Sequence, residues 1–137
     1  IYIGKAELFD MPILGRIIKG LHAFPVRRGQ SDISAIKKAL TVLKNGDILG
    51  IFPEGTRSQT GEILEAMTGV VLIMEKSKAP VLPAKIYGSR GLLKQKRGTM
   101  GVIIGKPIYI DKLAVPPDIK DRRSWIANRI MQEISEL

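Results

Sequence analysis

Apolar residues along the chain fall into short runs that alternate with stretches of helical spacing. Residues 1–3 read as the end of a strand. Residues 11–21 carry Ile13, Leu14, Ile17, Ile18 and Leu21 on one helical face, and Pro12 suits a first helical turn because it has no N–H to leave unpaired. A short strand is expected at 23–26. Ser31 or Asp32 then caps a helix whose core face is Ile33, Ile36, Leu40 and Leu43, and Asn45-Gly46 ends it with a left-handed turn. Residues 48–52 form the next strand. A helix over 65–78 turns Met67, Val70, Val71 and Met74 inward and stops at Ala79-Pro80. A strand over 81–87 contains Pro83, which marks an edge or an irregular position. A further strand at 100–104 precedes a closing amphipathic helix over 119–137, with Ile126, Ile130, Ile134 and Leu137 inward. Trp125, at the flank of that stripe, is either a buried anchor or an interfacial ring. Strands alternating with helices predict an α/β fold with a mostly parallel central sheet flanked by helices, in one domain over residues 1–137.

In such sheets ligands sit beyond the carboxyl ends of the strands, and two segments of this chain stand where that rule points. Phe52-Pro53-Glu54-Gly55-Thr56-Arg57-Ser58 follows the strand at 48–52, and Val26-Arg27-Arg28-Gly29 follows the strand at 23–26. A guanidinium offers planar, forked donors that match phosphate oxygens and keeps its charge when partly buried. Gly29 and Gly55 let backbone approach a ligand closely. Thr56 and Ser58 supply hydroxyls, and successive amides there can form an anion nest. Glu54 can orient Arg57 or hold a neighbouring loop. A surface turn with a structural Arg–Glu pair is the plainer reading of one such corner. Two corners in this order favour an anion site in which Arg28 and Arg57 meet on one phosphate.

Charge strengthens that reading. The 137 residues carry 22 basic and 13 acidic side chains, a net charge of +9, which favours anionic partners. Nucleic acid is disfavoured, because aromatic residues make up only 5% of the chain and no nucleic-acid motif is present. There is no cysteine, hence no disulfide framework or thiolate chemistry, and no cluster with metal-ligand spacing, so no metal is expected. No apolar run is long enough to span a bilayer. Residues 85–106 hold six basic side chains and no acidic one. Within them Leu92-Leu93 and the cations of 89–97 form either a membrane-surface anchor or a solvated loop.

The run at 52–58 resembles the third sequence block of the glycerolipid acyltransferases, most closely those that act on 1-acyl-glycerol 3-phosphate. Lys5-Ala6-Glu7-Leu8-Phe9 with Pro12 and Gly15 resembles the approach to the second block. Val26-Arg27-Arg28-Gly29 is similar to that block itself, Ala79-Pro80-Val81-Leu82-Pro83-Ala84 to the fourth, and Ile104-Gly105-Lys106-Pro107-Ile108 to the closing G-x-P-I. The resemblance implies acyl transfer from acyl-CoA or acyl carrier protein to the free hydroxyl of a lysophospholipid at a membrane surface on the cytoplasmic side, giving phosphatidic acid, with no bound cofactor. It implies a phosphate site built from Arg28, Gly29, Glu54, Gly55, Thr56 and Arg57, with Pro83 near the substrate groove.

The family's catalytic H-x-x-x-x-D pair, in which His removes the hydroxyl proton and Asp orients it, is not in this sequence. The single histidine, His22, has Arg27 five residues later and lies after the 5–9 segment, so it is expected to be structural or solvent-facing. That pair is therefore expected upstream of Ile1, and by itself the chain is expected to be inactive. Ala66, Met67 and Thr68 replace a basic residue common in the family, and Lys85 is a candidate substitute. Glycerol 3-phosphate or another lysophospholipid is an alternative acceptor, and a non-catalytic basic lipid- or nucleic-acid-binding module an alternative role.

Overall fold

The computed structural model describes residues 1–26, 33–56, 58, 62–88 and 100–137. Strand β1 (Tyr2–Lys5) leads through two short helices, α1 (Ala6–Phe9) and α2 (Leu14–Gly20), to strand β2 (Ala23–Val26). The two strands pair in parallel, Tyr2 opposite Ala23 through Lys5 opposite Val26. On its other edge β1 takes a second parallel partner at Gly50. The Ile3 N–H donates to Gly50 O at 3.2 Å and the Gly50 N–H to Ile1 O at 2.7 Å. The segment expected as a strand at 48–52 is thus reduced to a single bridge, with Ile48 and Phe52 exposed.

α1 and α2 meet closely. A Cβ on Gly15 would lie 2.3 Å from the Phe9 carbonyl oxygen, so the tight packing there depends on glycine. The Gly15 N–H reaches Met11 O at 2.8 Å, which leaves Pro12 in the opening turn where its missing N–H costs nothing. The apolar spacing of this helix does not mark a core face, however. Ile13, Ile17 and Leu21 are exposed, and Gly15 is the helix's buried residue.

Helix α3 (Ile33–Lys44) buries Ala35, Ala39 and Val42, and its expected stripe is rotated to the flank. Ile36, Leu40 and Leu43 pack on the core from its margin, and Ile33 is exposed. Small alanines let α3 approach β2 and the next helix more closely than a row of isoleucine and leucine would. Gly46, at φ +82°, ends α3 as expected. Its N–H donates to Leu43 O and the Asp47 N–H to Val42 O, the paired bonds of a Schellman cap. The cap expected at Ser31 or Asp32 lies outside the described residues.

Helix α4 (Gly69–Ser77) begins four residues later than its periodicity suggests. It joins two apolar clusters. Val71 and Met74 pack with Ile110, Ile126, Ala127 and Ile130, whereas Ile73 packs with Phe24, Ala35, Ala39 and Val42. Strands β3 (Ala84–Tyr87) and β4 (Gly101–Ile104) pair antiparallel, so among the described residues the parallel pairing lies in the first half of the chain. Val81 and Ile108 extend this ladder, and the Gly105 N–H donates to Pro83 O at 2.9 Å. Pro83, unable to donate, falls between the two paired stretches, the irregular position its chemistry requires.

Helix α5 (Arg122–Ser135) buries Ile126 and Ile130 as its stripe implies, together with Ala127 and Met131. Trp125 is partly buried against the same cluster. Glu75 of α4 accepts from Arg122 at 2.8 Å and from Arg123 Nε at 2.9 Å, tying the two helices. Asp121 caps α5, accepting from the Ser124 N–H at 3.0 Å and from its hydroxyl at 2.7 Å. Those bonds, the backbone one first, hold the Asp121 carboxyl below its ordinary value of 3.8. A lowered folded value means that the cap's contribution is complete above that ordinary value and is lost as pH falls through the lower one. Thermal melts followed by circular dichroism are therefore expected to show no change in this group's contribution between pH 7 and 5 and a loss at more acidic pH. Asp121→Asn, which caps without titrating, should remove that part of the acid loss.

Candidate functional site

Three parallel segments in the order β2, β1, Gly50 have their carboxyl ends on one edge. The described residues that lead into both arginine-bearing corners leave the sheet there. Val26 ends β2, and residues 52–56 follow the Gly50 bridge, with β1 between them. Two inter-strand spacings amount to about 10 Å, a span that two inward-facing arginines can close. Arg28, Gly29 and Arg57 themselves lie outside the described residues, and so does the meeting of the two guanidinium groups.

The described part of the 52–58 run is a pinned turn. The Gly55 N–H donates to Phe52 O at 3.1 Å, and Gly55 adopts φ +64°, a left-handed conformation that disfavours any side chain. A Cβ there would lie 2.3 Å from Met67 Sδ. The Met67 N–H donates to Pro53 O at 2.8 Å. The Leu64 N–H donates to Glu54 Oε2, also at 2.8 Å, in a partly buried setting. Of the two roles open to Glu54 in the sequence, this bond supports the holding of a neighbouring loop. Thr56 is exposed, and both Thr56 and Ser58 have partners within the fold.

Leu64 and Met67 were not legible as parts of this site. Their contribution is a backbone N–H, which leaves no mark on residue type.

Two other residues singled out in the sequence have definite surroundings. The Pro83 side chain is fully buried, and its ring lies 3.0 Å from the place a Cβ on Gly105 would take. Its ring is withdrawn from solvent, so a part in a substrate groove would fall to its backbone. Lys85 Nζ donates to Ser135 O at 3.0 Å, where a cation complements the carbonyl end of α5. It is engaged there rather than standing free as a substitute phosphate ligand. His22 is exposed, at φ +58°, as expected for a residue outside the chemistry. Among the described residues no group of His, Cys, Asp and Glu could hold a metal ion, and no helix is long and apolar enough to cross a membrane. The basic segment 89–97 lies outside the described residues.

Residues 1–87 match the family model described as Acyltransferase. The 1-acyl-sn-glycerol-3-phosphate acyltransferase of Bacillus subtilis (strain 168) is 40% identical over 137 residues, covering 99% of this chain and 67% of that protein. The enzyme of the same name from Saccharomyces cerevisiae is 30% identical over 140 residues, covering 95% of this chain and 45% of its own length. The crystal structure of the 1-acyl-sn-glycerophosphate (LPA) acyltransferase PlsC from Thermotoga maritima superposes with a TM-score of 0.62 at 26% identity, covering 99% of this chain and 57% of that one. The chain thus spans about two thirds of the Bacillus relative and less than half of the yeast one.

Proposed function

This chain belongs to the acyltransferase family, and from that premise we propose that it serves the transfer of an acyl group from acyl-CoA or acyl carrier protein to the free hydroxyl of 1-acyl-glycerol 3-phosphate. The acceptor oxygen attacks the thioester carbonyl, an ester bond forms, the carbon–sulfur bond breaks, and the hydroxyl proton ends on the departing thiol. The product is phosphatidic acid. No bound cofactor is needed.

These residues serve acceptor binding. His22, exposed and followed by Arg27 in place of an aspartate, is not the base. The observation that carries the proposal is that Val26 and residues 52–56, the described residues that lead into the two arginine corners, leave three parallel segments at the same carboxyl edge. Arg28 and Arg57 grip the phosphate from the two sides, and Gly29, Gly55 and Thr56 shape the cradle. A net charge of +9 supports work at the cytoplasmic face of the membrane, where anionic headgroups and acidic donors meet the protein. The basic 85–106 segment is its contact with the lipid surface.

The test is to incubate the intact protein with acyl-CoA or acyl carrier protein and 1-acyl-glycerol 3-phosphate in vesicles of anionic lipid. Phosphatidic acid and free thiol should appear in equal amounts. Acylation of glycerol 3-phosphate or another lysophospholipid instead would move the acceptor, and acylation of none would end the proposal.

A further inference from the structure

We infer that Glu54 is a positioning residue, closing the loop that carries Arg57 by holding the Leu64 N–H, and that it does not touch the phosphate. The inference rests on the acceptor-binding role of Arg57 and deepens it.

The carboxylate already has a partner. Glu54 Oε2 receives the Leu64 N–H at 2.8 Å, ten residues along the chain, in a partly buried setting. One residue before it, Pro53 O receives the Met67 N–H at 2.8 Å. The two bonds lie side by side, one from a side chain and one from the backbone, and both join the 53–54 turn to the 64–67 segment. Gly55 packs on Met67 and turns the chain at φ +64° between them. The segment from 55 to 63 is therefore tied at its base, and by connectivity Arg57 stands within it.

The chemistry of the group points the same way. An ionised carboxylate offers acceptors and no donor, and a phosphate dianion needs donors. A second negative charge at the headgroup would repel it. A carboxylate turned onto a backbone amide instead gains a charge-assisted hydrogen bond, and it ties down a loop whose function requires a fixed arginine.

Two readouts decide the matter: exchange of the Leu64 amide followed by NMR, and acceptor kinetics of the intact protein with 1-acyl-glycerol 3-phosphate. Glu54→Ala should speed Leu64 exchange by at least about tenfold and raise the acceptor KM by about tenfold or more, leaving the donor KM in place. Glu54→Gln should bring both to within about threefold of the wild type, because its amide oxygen accepts the same N–H. If Gln is as damaging as Ala to the acceptor KM while Leu64 stays protected in both, the charge acts directly and the inference falls. It also falls if Leu64 exchanges equally fast with and without Glu54. Should the alanine variant not fold, Glu54→Gln decides alone: retained protection with a near-normal KM supports the brace, and retained protection with a lost KM overturns it. Arg57→Ala separates the two levels. An unchanged acceptor KM in that variant refutes the phosphate role, while Leu64 exchange continues to judge the brace.

Discussion

Replacing Arg57 by alanine is expected to lower kcat/KM for 1-acyl-glycerol 3-phosphate by roughly a hundredfold, mainly through the acceptor KM, with the donor KM unchanged. Loss of one partner from a hydrogen-bonded charge pair at a binding site costs about 2–5 kcal/mol, because the other charge is left without its counterpart. At about 3 kcal/mol, that corresponds to a little over two powers of ten. Arg28→Ala should give a loss of the same order. The double variant should lose less than the product of the two, since a phosphate released by one arginine has already left the geometry the other requires. Arg57→Lys should recover only part, as an ammonium keeps the charge and loses the planar fork. Steady-state kinetics with acceptor and donor varied separately read all of this. Unchanged acceptor kinetics in Arg57→Ala would remove the central support of the proposed function.

Some of this molecule could be read directly from residue order, and the exceptions have physical causes. The α5 stripe is clear because Ile126 and Ile130 are large, and spaced to one face of a long helix. α3 misled because the eye weights isoleucine and leucine over alanine. Burial there follows closeness of approach, which Ala35 and Ala39 allow and Ile33 does not. α2 shows that helical spacing marks an apolar face and not what covers it, since Ile13 and Ile17 have the right period and remain exposed. The antiparallel pairing of β3 with β4 has no signature in the period of a strand, which is the same in both senses.

The candidate site divides along a similar line. Two glycine-flanked arginine corners could be singled out because the proposed function there rests on side chains. The turn at Gly55 and the acceptor oxygen of Glu54 were equally visible. What they hold was not: the amides of Leu64 and Met67 contribute as backbone, and any residue but proline would offer the same N–H. The family resemblance set roles for Arg28 and Arg57, and the parallel register of β2, β1 and Gly50 adds a spatial reason for those roles.

Truncating Ile126 to alanine is expected to destabilise the fold by about 3–4 kcal/mol, out of a total that for domains of this kind is about 5–15 kcal/mol. Ile126 is fully buried and packs among Val71, Met74, Ile110 and Ile130, so the lost methyl and methylene groups leave a cavity bounded by two helices and a turn. Ile126→Val should cost about 1 kcal/mol, since a single methylene is removed. Urea denaturation should show a lower midpoint with an unchanged slope, the sign of a change in stability rather than in the extent of unfolding. The consequence for the site runs through α4. Its Val71 and Met74 belong to the same cluster as Ile126, its Ile73 belongs to the other, and its start at Gly69 stands two residues from the Met67 amide that holds Pro53. Well below the melting temperature the acceptor KM should therefore stay near the wild-type value while the active fraction falls with the folded fraction. An unchanged urea midpoint would mean that the α4–α5 cluster does not contribute to the stability of the fold as its burial implies.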